Sequence, residues 1–128
     1  MHRILIVDDE PHVTRLVQMK LRAAGYEAHT ASNGLQALQT LEAEGPFHAV
    51  VTDYNMPKMD GRQLCEAIRE RFEGEEIFIF LVTARLEQQL RDWADGHPCI
   101  EYIEKPISVR HLLERLDKCL GDAADGGE

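Results

Sequence analysis

Positive charge is what this chain has least of. Fourteen Lys and Arg stand against 23 Asp and Glu, a net charge of -9 over 128 residues. A surface this acidic excludes nucleic-acid binding through the domain, because phosphate contacts need basic side chains. It still admits a basic partner or a bound cation. Long apolar runs are missing as well. The longest, Ile77 to Val82, is far short of the ~20 residues a membrane helix requires. Met1-His2-Arg3 leads straight into a short strand pattern, so neither a signal peptide nor a membrane span is expected. The three cysteines, Cys65, Cys99 and Cys119, are scattered, odd in number and without metal-ligand spacing. They read as buried or half-buried thiols in a reducing compartment, and the expected location is the cytoplasm. The six histidines are equally scattered and read as surface or packing residues. No internal repeat is present.

What is there is enough for one domain. Hydrophobic residues make up 44% of the chain, sufficient for a core at this length. Ile4-Leu5-Ile6-Val7 is a continuous apolar run, the mark of a strand buried on both faces. After Asp8-Asp9-Glu10-Pro11, residues Val13, Leu16, Val17, Lys20, Leu21 and Ala24 recur at helical spacing, and Gly25 ends that helix. Tyr26 to Ala31 is a more polar strand near a sheet edge. Asn33 caps a helix carrying Leu35, Leu38 and Leu41, stopped by Gly45-Pro46. Ala49 to Thr52 is a third strand, running into Asp53. Asp60 and Gly61 open a third helix with Leu64, Cys65, Ile68 and Phe72. Ile77 to Val82 is a central strand ending at Thr83. Leu86, Leu90 and Trp93 mark a short fourth helix, broken by Gly96-His97-Pro98. Ile100 to Ile103 is an edge strand followed by Lys105-Pro106. Ser108 caps a last helix with Val109, Leu112, Leu113, Leu116 and Leu120. Residues 1–120 form the domain, and 121–128 are a polar tail or a cut linker.

Strand–helix alternation five times over predicts an α/β fold: a single doubly wound, five-stranded parallel sheet with five helices, flavodoxin-like in architecture. Right-handed crossovers favour the strand order 2-1-3-4-5, with the switch point between strands one and three. Those strands end at Asp8-Asp9 and at Asp53, and strands four and five end at Thr83 and Lys105. One sheet edge thus receives three carboxylates, a hydroxyl and an ammonium. Carboxylates ~4 Å apart repel by ~4 kcal/mol at an effective dielectric near 20, so the cluster calls for cations. Lys105 supplies one, and a hard oxygen-bound ion such as Mg²⁺ supplies the rest. A carboxylate beside such a metal can act as a nucleophile and form an acyl phosphate, with Thr83 and Lys105 binding phosphoryl oxygens. Each group alone has an ordinary alternative: Asp8, Asp9, Glu10 or Thr83 as helix caps, Asp53 as a loop residue, Lys105 as a solvated lysine. Agreement at four independent strand ends favours the joint site.

The residues Val7-Asp8-Asp9-Glu10, Asp53 with Met56-Pro57 and Met59-Asp60-Gly61, Thr83-Ala84 and Lys105-Pro106 form a specific set. In it the chain resembles the receiver domains of two-component response regulators, from Ile4 to Leu120. The resemblance implies that Asp53 accepts a phosphoryl group from a histidine kinase or phosphotransfer protein. It implies Mg²⁺ on Asp9, Asp53 and the main-chain carbonyl of Asn55, with Asp8 assisting. It makes Thr83 and Tyr102 the switch pair, the fourth helix, fifth strand and last helix the output surface, and an output domain or target protein the reader. It also implies a cis Lys105–Pro106 bond. Departures are Asp95-Gly96-His97-Pro98-Cys99 before strand five, where the family often has small residues, and Arg85 and Asn55, at positions that tune acyl-phosphate lifetime. Two other functions compete. A haloacid-dehalogenase-type phosphatase wants a second Asp two residues after the nucleophile, where this chain has Asn55. A flavodoxin-like nucleotide binder wants hydroxyls and amides in the first loop, where Asp8-Asp9-Glu10 would repel a phosphate.

Overall fold

The computed structural model describes residues 1–84, 87–97 and 99–121. The expectations placed on Arg85, Leu86, Pro98 and most of the tail fall outside them. The elements run β1 (Arg3–Val7), α1 (Pro11–Ala23), β2 (Glu27–Ala31), α2 (Gly34–Glu44), β3 (Ala49–Asp53), α3 (Gly61–Arg71), β4 (Phe78–Thr83), α4 (Gln88–Asp95), β5 (Ile100–Glu104) and α5 (Val109–Leu116), closed by a π-helical turn, Asp117–Gly121. All pairings are parallel and the strand order is β2-β1-β3-β4-β5. The three inner strands are almost wholly buried, which is why they read as unbroken apolar runs, whereas the edge strands β2 and β5 bury only two residues each.

The sheet separates two cores. On one face Ile4, Ile6, Val51, Phe80 and Val82 pack under α1 and α5. On the other, Leu5, Val50, Ile79 and Leu81 pack under α2, α3 and α4. The helix starts are chemically specified. Pro11 opens α1, the Asn33 side chain accepts from Gln36 N, and Ser108 accepts from His111 N. Asp60 and Gln63 form a reciprocal capping box on α3.

Two apolar stripes differ from the sequence expectation. On α1 the buried residues are Thr14, Val17 and Leu21, while Leu16 is 51% exposed. At ~100° per residue Leu16 lies about 130° round the helix from the centre of that stripe. On α2 the buried set is Gly34, Ala37, Leu38 and Leu41, and Leu35 is 53% exposed. Gly34 faces inward against the Met59 side chain, where a Cβ would meet the sulfur at 2.6 Å, and Leu35, ~100° further round the helix, faces out. Trp93 packs against the edge of the core. It is half-buried, with the Arg62 guanidinium 5.0 Å from its ring centroid and the His97 ring 4.7 Å away.

Candidate functional site

Every sequence-predicted acidic group lies at the carboxyl edge of the sheet, where β1 and β3 send their chains to opposite faces. Asp8 follows β1 directly. Its N–H donates to Ala31 O (3.2 Å), and its Oδ1 accepts from Glu10 N (3.0 Å). That turn leads the chain into α1, but Glu10 is the N-cap residue, so the Asp8 bond shapes the turn and does not cap the helix. The Glu10 side chain makes no cap bond. Asp8, Asp9 and Asp53 each offer a carboxylate oxygen, all within 4.8 Å of one another.

Asp53 is the innermost of the three, 5% exposed at the end of β3. Lys105 Nζ stands 2.9 Å from Asp53 Oδ1. The pair is an ion pair by distance, yet that buried oxygen accepts no hydrogen bond of good geometry among the described residues. Among the described residues that oxygen is thus held by the charge of Lys105 rather than by a directed bond. Burial pushes the Asp8 carboxyl above the ordinary range; the Asp53 charge adds to this and the Glu10 N–H opposes it. Burial works against the charge on Lys105, but the Asp53 carboxylate 2.9 Å away, then the charges of Asp8 and Glu10, outweigh it and raise its pKa. The ammonium stays charged through the neutral range.

The loop after β3 is tied at both ends. Tyr54 N donates to Val82 O and Gly61 N to Tyr54 O, both at 2.8 Å. Lys58 takes a left-handed φ of 73°, and Met59 N donates back to Pro57 O (2.8 Å). Gly61 is required by close approach. A Cβ there would meet Leu81 Cδ2 and the Tyr54 Cα at 2.9 Å. The start of α3 thus abuts the end of β3 and holds Asp53 in place. Asn55 is exposed in this loop, two residues beyond Asp53.

Thr83 is buried at the end of β4, and its carbonyl accepts from Lys105 N (2.7 Å), so the two family-marked residues stand side by side. The Lys105–Pro106 bond is cis, as the resemblance implied. Tyr102 lies apart from the carboxylates. It pairs with Leu81 across β4–β5, which puts it on the Thr83 face, half-buried under α4 with the Arg91 guanidinium 5.9 Å from its ring. One contributor escaped the sequence reading. Thr52, fully buried, donates to Asp53 O (3.0 Å) and touches Met56 Sδ (3.9 Å). A hydroxyl inside an apolar strand was the signal. Glu10 adds a third negative charge facing Lys105.

Hard oxygen donors in this arrangement fit a small divalent cation. Three carboxylates share one edge against the single ammonium of Lys105.

The comparisons agree with this geometry. The transcriptional regulatory protein SrrA of Staphylococcus aureus is 34% identical over 119 residues, covering 93% of this chain and 48% of SrrA. The chain spans about half the length of the curated relatives it matches. The response regulator TrrA of Thermotoga maritima, solved in complex with Mg²⁺ and BeF, is 33% identical with a TM-score of 0.78, over 94% of this chain and all of that one (100%). A receiver domain protein of Methanospirillum hungatei, described as CheY-like, reaches a TM-score of 0.86 at 27% identity over 98% of each chain. The model of the response regulator receiver domain matches residues 4–117, and with it the strand order, the acidic edge and the paired Thr83 and Lys105 make this chain a member of the response regulator receiver family of two-component signalling.

Proposed function

We propose that Asp53 is the phosphoacceptor. An Asp53 carboxylate oxygen attacks the phosphorus of a phosphohistidine on a histidine kinase or phosphotransfer protein. The O–P bond forms, the P–N bond breaks, and its electron pair stays with the histidine nitrogen. The single observation that carries this is the buried Asp53 carboxylate, ion-paired with the Lys105 ammonium at 2.9 Å and gathered with Asp8 and Asp9 at one edge. Asp8, Asp9, Asp53 and the Asn55 main-chain carbonyl would hold Mg²⁺. When bound, that ion neutralises charge on the carboxylates and on the transferring phosphoryl group. Lys105 and Thr83 take the phosphoryl oxygens as charge develops.

The product is an acyl phosphate on the domain itself. Water later cleaves it, so the domain turns over its own modification and no released substrate. A phosphatase would need an acid two residues after the nucleophile, and the Asn55 amide cannot act as one. A doubly charged group at Asp53 draws Thr83 toward it. Tyr102, on the same sheet face, then turns into the space beside β5, changing the surface of α4, β5 and α5. An output domain or separate target protein reads that surface. The net charge of -9 leaves nucleic acid to such a partner. Residues 1–120 are the receiver unit, and its three free thiols suit the reducing cytoplasm.

Asp53→Asn tests the assignment. Intact-mass spectrometry after incubation with an acyl-phosphate donor and Mg²⁺ should show one phosphoryl group on the wild type and none on the variant. Equal phosphorylation of a folded Asp53→Asn protein refutes it.

A further inference from the structure

A cavity of about 260 Å³ opens beside the carboxylates, on the face covered by α1 and α5. Val13 and Val17 of α1, Val51 and Val82 of the sheet and Ile107 after β5 make its apolar wall. Asp8, Glu10, Asp53 and Lys105 make its polar end. Alternation along the strands explains this division. Val51 and Asp53 share one face of β3, as Ile6 and Asp8 share one face of the chain leaving β1. The hydrocarbon floor therefore continues directly into the acidic mouth.

That composition selects the ligand. Three carboxylates against one ammonium repel an anion. A bare metal ion leaves the aliphatic wall unfilled, and water there finds no partners. A neutral hydrocarbon fills the wall but leaves the excess carboxylate charge of the polar end unmatched, since its one ammonium is already paired with Asp53. Only an apolar body carrying a positive, hydrogen-bonding head satisfies both halves. Size is consistent too, since an apolar cavity of ~150 Å³ is enough for benzene.

We propose that this cavity binds a small organic primary ammonium, its apolar body against the valines and Ile107 and its head on Asp8 and Asp53. Asp8 and Asp53 are also the carboxylates assigned to the metal, so the ammonium and a divalent cation exclude each other. Occupancy would hold the domain unphosphorylated. The cavity and its charge do not depend on the phosphoacceptor assignment; only the competition rests on the metal reading.

The test uses the full chain, metal-free, with benzylamine as probe and benzyl alcohol and benzoate as controls. The readout is valine and isoleucine methyl NMR. Benzylamine should shift the methyls of Val13, Val17, Val51, Val82 and Ile107 saturably. Benzyl alcohol should bind about tenfold more weakly, having lost the charge-assisted contact, and benzoate should not bind. Added Mg²⁺ should weaken benzylamine competitively. Val13→Phe, with Ile107→Phe as a second cavity-filling variant, should lose benzylamine affinity about tenfold while still responding to Mg²⁺. No saturable shift, equal binding of the alcohol, or undiminished binding to both variants overturns the site. Indifference to Mg²⁺ overturns the competition. Phosphorylation of Asp53, followed separately by mass, can fail without touching these outcomes.

Discussion

Removing the Asp8 charge should stabilise the metal-free protein, although it removes a residue assigned to the site. Asp8, Asp9 and Asp53 offer oxygens within 4.8 Å, which sets a mutual repulsion of about 3.5 kcal/mol per ionised pair at an effective dielectric near 20. Asp8→Asn relieves the Asp8–Asp53 part. Two losses offset it. The Lys105 ammonium loses a neighbouring charge, and the Glu10 N–H keeps an acceptor but not a charged one. The net gain should be about 1–2 kcal/mol, a rise in Tm of roughly 3–10 °C for a domain of this size. Folding raises the Asp8 pKa above its ordinary 3.8, so the native state holds that proton more tightly than the unfolded chain. The penalty on the ionised form is complete above the folded pKa and fades as pH falls toward 3.8. The advantage of Asp8→Asn is therefore largest near neutral pH and shrinks on acidification. Mg²⁺ should reverse the order by stabilising the wild type more. Thermal melts across pH, with chelator and with Mg²⁺, measure all of this. A variant no more stable than wild type in chelator at pH 7, or one whose advantage grows in acid, refutes the electrostatic reasoning.

Thr83→Ala should leave Asp53 open to phosphorylation while uncoupling it from the output surface. Amide NMR shifts from Gln88 to Tyr102 on adding beryllofluoride and Mg²⁺ should be large in wild type and small in the variant. Equal responses in both would sink the Thr83–Tyr102 coupling and spare the phosphoacceptor. Gly61→Ala should cost about 1–3 kcal/mol, because its Cβ would press on Leu81 Cδ2 and Tyr54 Cα at 2.9 Å. Urea unfolding reads this directly, and an unchanged midpoint would show that α3 can shift freely. Cys65 is fully buried, and burial pushes its thiol up to about 12. It should resist maleimide at pH 8 in the native protein and react only on unfolding, with the half-buried Cys99 and Cys119 as internal comparison. Mass mapping of native Cys65 labelling at the rate of the unfolded chain would contradict the packing.

Much of the fold was legible because its signals are local. Unbroken apolar runs can be satisfied only between two helical layers, and caps such as Asp60–Gln63 act within one turn. Helix faces were harder to read. Leu16 and Leu35 carry the same hydrophobicity as their buried neighbours, and only the packing partners determine which residue turns inward. Thr14 took the inner position on α1 because its hydroxyl is satisfied by Pro11 O at 2.9 Å.

By itself the sequence determined the residue types at four strand ends, and with right-handed crossovers this brought Asp8, Asp9, Asp53, Thr83 and Lys105 to one edge. The tertiary structure alone decided the distances within that edge. It set the 2.9 Å ion pair between Lys105 and the buried Asp53, and it left Tyr102 under α4. It also opened a cavity beneath the acidic edge, walled by valines from three segments far apart in the chain. The difference is physical. Strand ends follow from short-range patterns, whereas a gap between side chains depends on the volumes of residues that meet only after folding.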